Sequence, residues 1–224
     1  MKKQKILDLK PTQFAVGMLE VDEKIAIAEK YTKAELKKFV NESPVPVVLS
    51  AQGEMFIVDH HHFLCVCYHV GVKKVKVIVV KDFSKSKIGY GQFWKWMYKT
   101  RNSYPYCQFG EGPRKPLYLP KDIRGLADDP YRSIAWFVRK AGAFENSDRN
   151  YAEFQWANFF RSRKLLDTHG PRGMPKALVK AVHLAQNKSA KGLPGYEVLK
   201  AKAKTEVVNK IKIKAKEIIN KKTS

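Results

Sequence analysis

The chain has 224 residues, 44% hydrophobic and 12% aromatic, which excludes a disordered polypeptide and allows a domain with a buried core plus an appendage. Forty-three basic residues against 21 acidic ones leave a net charge of +22, which favours a polyanionic partner, nucleic acid ahead of an anionic membrane surface. No apolar run approaches the ~18 residues that cross a bilayer, and three cysteines without paired spacing exclude a disulfide framework and a zinc ribbon.

Met1-Lys2-Lys3-Gln4-Lys5 leads directly into Ile6-Leu7-Asp8-Leu9, which reads as a first strand over residues 5–9 broken by Pro11. No secretory apolar segment follows the lysines, so a cytoplasmic location is expected. Ile25, Ile27 and Ala28 predict a helix within residues 19–31, and Thr32-Lys33-Ala34-Glu35 is a capping box that opens another, running to about Val40. Residues 45–50 and 55–58 flank Ala51-Gln52-Gly53-Glu54 and read as a hairpin.

The second hairpin strand runs into Asp59-His60-His61-His62. Asp59 is a good N-cap, and the following residues through Val70 form a helix that Gly71 ends, with Phe63, Cys67 and Val70 on one face. Three histidines thus crowd the first turn of a helix at the end of a strand, where amides and the helix dipole favour an anion. Residues 75–80, nearly all β-branched, read as a central strand. A further helix carries Phe93, Trp94 and Met97 as a core stripe, with Trp96 beside Lys95 and Lys99 as a candidate stacking platform. Residues 104–120, rich in glycine and proline, form an irregular excursion.

Asp129-Pro130 is an N-cap followed by proline at the first helical position, and that helix ends near Gly142. Asp148 is expected to cap the next, on which Glu153 lies among apolar neighbours, either paired with Arg132 or Arg149 or placed for work on a proton or cation. From residue 171 onward there are 14 basic and three acidic side chains. A long basic helix over residues 198–219 offers Lys202, Lys204, Lys210, Lys212, Lys214 and Lys216 to nucleic-acid phosphates as an arm, or else docks Val207, Val208, Ile211, Ile218 and Ile219 on the core or a second subunit.

Two chemistries suit the Asp59-His60-His61-His62 turn, beside a plain polar turn. One is a divalent metal, the candidate cofactor, held by His60 and His62 with Glu153 or His169 completing the set. Consecutive residues of a regular helix point ~100° apart, so only a strained turn brings two of them to one ion. The other is phosphate chemistry, in which the helix end holds the phosphate and a histidine moves a proton or acts as nucleophile. Asp59, His60, His61, His62 and Glu153 are the catalytic candidates.

Asp8-Leu9-Lys10-Pro11-Thr12-Gln13-Phe14-Ala15-Val16-Gly17, the run from Asp59 to His62, and Asp128-Asp129-Pro130-Tyr131-Arg132-Ser133 together resemble the ParB/sulfiredoxin superfamily, and within it the ParB-like nuclease subgroup. The superfamily turn reads roughly D-G-H-x-R. With Asp59 aligned, His60 stands where glycine is usual and His62 where arginine is. The cysteine of the sulfiredoxin side is absent from His60 and His61. The resemblance implies an α+β fold, a ParB/sulfiredoxin-like mixed sheet with packed helices over residues 1–168, followed by a helical basic C-terminal region over 169–224. It also implies that Thr12, Gln13, Arg132 and Ser133 contact phosphate. The function expected is nucleic-acid binding with metal-assisted phosphodiester cleavage. The alternatives are a nucleotide-dependent phosphotransferase and a non-enzymatic DNA-binding module.

Overall fold

The computed structural model describes residues 2–149, 151–166 and 173–220, which form two compact units, Met1–Asp128 and Asp129–Ser224. In the first unit, β1 (Lys2–Lys5), β2 (Leu9–Lys10), β4 (Val45–Leu49), β5 (Met55–Ile57) and β6 (Lys74–Asp82) make a five-stranded sheet in the order β1-β6-β4-β5-β2. The sheet is mixed: β1–β6 and β4–β5 are antiparallel, β4–β6 and β2–β5 parallel. Short β3 (Ala15–Val16) pairs in parallel with β7 (Ala127–Asp128).

The expected single strand over residues 5–9 is two strands joined by a 3-10 turn at Ile6–Asp8. The cause is topological. β1 and β2 are the two edge strands and only a three-residue 3-10 turn joins them, so the sheet curls until its edges approach and the chain turns between them. Ile6, 1% exposed, plugs the core at that turn, and its N–H reaches the Lys73 carbonyl at 3.0 Å.

Alternation sets the two faces of this sheet. Val45, Val47, Ile57, Val75 and Val77 pack in one cluster with Leu64 and Cys67 of α3 (His61–His69) and Val21 and Ile25 of α1 (Met18–Ala28). Val48 and Phe56 belong to another, with Phe93, Trp94 and Met97 of α4 (Tyr90–Lys99). The stripe on α4 is therefore core, as its spacing predicts. α2 (Lys33–Glu42) begins with the full capping box, the Glu35 N–H donating to Thr32 Oγ1 at 3.2 Å and the Thr32 N–H to Glu35 Oε2 at 2.8 Å. Gly71, with φ +82°, takes the left-handed turn between α3 and β6 at no steric cost.

The second unit is helical. α5 (Pro130–Ala141) packs on α6 (Ala152–Ser162), α7 (Met174–Ala185) and α8 (Ala201–Asn220). Helices on both sides of residue 168 thus share one unit, whereas the composition shift alone places a boundary there. Asp129 caps α5 as expected, its Oδ1 accepting the Tyr131 N–H at 3.0 Å, and Gly142 closes that helix with φ 94°. Asp148 does not cap α6. The cap position is Tyr151, left-handed at φ 61°, and the Ala152 N–H is taken by the Arg149 carbonyl at 3.1 Å.

Of the two placements expected for the long basic helix, the packed one holds. Val207, Ile211, Ala215 and Ile218 of α8 are buried, at i, i+4, i+8 and i+11, against α7 and α5. Ala215 completes a stripe that lysines interrupt only on the neighbouring faces, which is why charge alternation concealed it.

Candidate functional site

β5 ends at Ile57, and the Val58 N–H bonds the Pro46 carbonyl at 3.1 Å. Asp59 is not the helix cap. It is exposed, and its Oδ1 accepts the His60 N–H at 2.6 Å. The cap position of α3 is His60, left-handed at φ 69° and ψ 23°, with no side-chain cap. A left-handed residue reverses the chain in the short space between strand and helix, and glycine does so most cheaply. That is a physical reason for a glycine in the superfamily turn, and this chain performs the reversal with a histidine.

His61 and His62 bind the loop between β2 and α1. His61 is 6% exposed, and its Nε2 accepts the Thr12 N–H at 3.2 Å. Accepting at Nε2 leaves the proton of the neutral ring on Nδ1. His62 Nε2 accepts the Gly17 N–H at 3.2 Å and lies 3.3 Å from Glu20 Oε2. One nitrogen cannot accept from Gly17 and donate to Glu20 together. The Gly17 bond has hydrogen-bond geometry and governs for neutral His62. The Glu20 contact takes over once the ring is protonated. Glu20, 2% exposed, is also paired with Lys24 at 2.5 Å.

Thr12 is likewise committed. Its hydroxyl donates to the Ile57 carbonyl at 2.6 Å, and its own carbonyl accepts from Ser103 Oγ at 2.8 Å and the Tyr104 N–H at 3.0 Å. Both of its donors are used, so the expected phosphate contact from Thr12 has no proton to offer. Gln13 is buried and bridges to Tyr104 through the backbone. Asp128 Oδ1 accepts the Met18 N–H at 2.9 Å and so caps α1 from 110 residues away in the chain.

His60 differs from its two neighbours. Its ring leans on Phe63, with centroids 5.6 Å apart, and its Nδ1 is buried without a hydrogen-bond partner among the described residues. Among the described residues no group of three or more His, Cys, Asp and Glu is placed to hold a metal. The expected metal pair, His60 and His62, therefore gains no third described donor, because His62 is turned toward Gly17 and Glu20; His169 lies outside the described residues. Burial pushes the Cys65 and Cys67 thiols up to about 12, which leaves them protonated and poor nucleophiles.

The other expected site residues belong to the second unit. Glu153 lies 2.7 Å from Arg139 Nη2 and 3.9 Å from Arg132 Nη2, so it pairs with one expected partner, Arg132, and with one not foreseen, Arg139. Arg132 is 4% exposed, with its guanidinium 3.7 Å from the Phe154 ring centroid. Ser133 is fully buried, and its Oγ has no hydrogen-bond partner among the described residues. Asp129 meets Arg161 at 2.5 Å, yet burial outweighs Arg161 and Arg132 and raises its carboxyl above the ordinary range. On α8, Lys202, Lys210, Lys212 and Lys216 are exposed and Lys204 half-buried. Lys214 is engaged, 2.7 Å from Glu217 and over the Phe137 ring.

Sequence reasoning missed Gly17, Glu20, Ser103 and Asp128. Gly17 and Asp128 stood at the ends of resemblance segments, which was a usable signal, whereas Ser103 carried none.

A family model described as "Putative ParB-like nuclease" matches residues 2–162. Among solved structures, the crystal structure of protein Atu1540 from Agrobacterium tumefaciens is similar with a TM-score of 0.78 and 32% identity, over 89% of this chain and 98% of that one. No curated protein matches the chain.

Proposed function

Because the chain belongs to the ParB-like nuclease family, we propose that it binds nucleic acid and cleaves a phosphodiester at the histidine turn. The observation that carries this reading is His60, an imidazole in a left-handed conformation at an uncapped helix N-terminus, with no backbone hydrogen bond to its ring. The positive end of α3 seats the phosphate. His60 takes the proton of the attacking water as its oxygen bonds to phosphorus, the ester P–O bond breaks, and the leaving oxygen takes a proton from solvent. His61 and His62 hold the Thr12–Gly17 loop against α3, which makes them positioning residues. Lys202, Lys210, Lys212 and Lys216 add contacts to backbone phosphates without reading sequence. Among the described residues no third donor joins His60 and His62, so no step is routed through a metal.

The test is nicking of supercoiled plasmid in EDTA and in Mg²⁺, Mn²⁺ or Zn²⁺, comparing wild type with His60→Gly. Nicking lost in the variant while binding persists supports the assignment. Equal nicking by both removes His60 from the chemistry, and binding without nicking by wild type leaves a DNA-binding module. Calorimetry with ATP, ADP and CTP separates the phosphotransferase alternative, which requires a saturable nucleotide site.

A further inference from the structure

The register of β1 against β6 sets Lys3 directly opposite Lys76 and Lys5 opposite Lys74. Like charges facing each other across a strand pair oppose folding. Lys33 and Lys37, four residues apart on α2, bring two more cations to the same place. Lys3, Lys33, Lys37, Lys74 and Lys76 line one cleft of about 280 Å³, with Leu36, Val40 and Val72 as its apolar lining and no carboxylate in its wall. Acidic neighbours are used elsewhere: Glu35 closes the capping box, and Glu42 faces Lys38 at 3.9 Å. Lys76 Nζ is held at 3.4 Å from the Asn41 carbonyl, near the negative end of α2. Val72 lies three residues past α3, so the cleft sits beyond the C-terminal end of that helix, ~14 Å along its axis from the histidine turn.

We infer that this lysine cleft is a second phosphate-contact site, which grips the sugar-phosphate backbone of a nucleic acid away from the histidine turn. The assignment rests on the nucleic-acid reading above and adds a position for the strand. Five lysines around one cleft, with no carboxylate among its lining residues, are balanced by a row of phosphates. Lysine supplies a point charge to each, and no base edge is read. The apolar lining keeps the lysine stems in place while their charged ends stay in water.

The experiment measures anisotropy of a labelled 20-mer duplex over a salt series, with three proteins: wild type, K33Q/K37Q/K74Q, and a control of equal net charge, K176Q/K188Q/K191Q. All six positions are exposed, so folding is preserved, and circular dichroism melting of each variant confirms it. Each lost phosphate contact removes ~0.9 from the slope of log K against log salt, so the cleft variant is expected to lose about 2–3 in slope and roughly tenfold in affinity. The control is expected to lose much less, and the cleft variant to melt no lower than wild type, since repulsion has been relieved. Equal losses in the two triple variants overturn the cleft while leaving nucleic-acid binding intact. Absence of binding by wild type overturns both readings. Displacement of the duplex by inorganic tripolyphosphate at equal molar affinity reassigns the cleft to a small polyphosphate and also overturns the proposal.

Discussion

Replacing His60 with glycine or alanine separates backbone strain from side-chain chemistry. An L-residue held left-handed costs about 1–2 kcal/mol relative to its relaxed conformation, and His60 has φ 69°. Alanine keeps that strain and loses the ring contact with Phe63, an aromatic contact worth about 0.5–1.5 kcal/mol. Glycine loses the same contact and relieves the strain, but its freer unfolded chain costs about 0.5–1 kcal/mol. The ring contact cancels between the two variants, so on the midpoints of these ranges His60→Gly should be more stable than His60→Ala by about 0.75 kcal/mol. Near the melting point this is ~1–4 °C for a protein of this size. Urea titration followed by circular dichroism gives the free energies, and thermal melts give an independent ranking. An alanine variant as stable as the glycine variant, or more so, would refute the left-handed assignment at the cap of α3. If glycine preserves stability and abolishes nicking, the imidazole is retained there for chemistry.

Ile211→Ala, at 1% exposure on α8, should cost about 2–5 kcal/mol in urea unfolding; a change of a few tenths would return α8 to the free-arm reading. Asp129 has a raised carboxyl, so its contribution to stability is fully present below its ordinary value of 3.8 and is lost as pH rises through the higher folded value. The stability of wild type minus that of Asp129→Asn should therefore shrink from pH 3.5 to 7, and a gap widening with pH would mean that Arg161 outweighs burial. Cys67, fully buried, should react with a disulfide reagent at pH 8 only as fast as the fold opens, a prompt native reaction being the contrary result. His61→Ala should weaken nicking and also free the loop at Thr12, seen as faster amide exchange there; unchanged exchange would show that the loop does not depend on this bond.

The sequence alone determined whatever is decided within a few residues. The Thr32–Glu35 capping box, the turn around Gly53, the stop at Gly71, and the Asp129-Pro130 start with its Gly142 end all follow from side chains meeting their own backbone or from glycine accepting positive φ. The core stripe of α4 follows from the helical period. The superfamily turn and its two flanking segments were legible as well, because they are short motifs in a fixed order. Only the tertiary structure decided the rest. The break at Ile6–Asp8 exists because β1 and β2 lie on opposite sheet edges, a fact no local propensity contains. The roles of the three histidines depend on Thr12 and Gly17, 49 and 45 residues away, and on a backbone reversal that their spacing conceals. The packing of α8 turned on which of two mixed faces met α5 and α7, and the lysine cleft on a strand register. In each case the deciding energy is a contact between distant segments, and local sequence constrains such contacts only weakly.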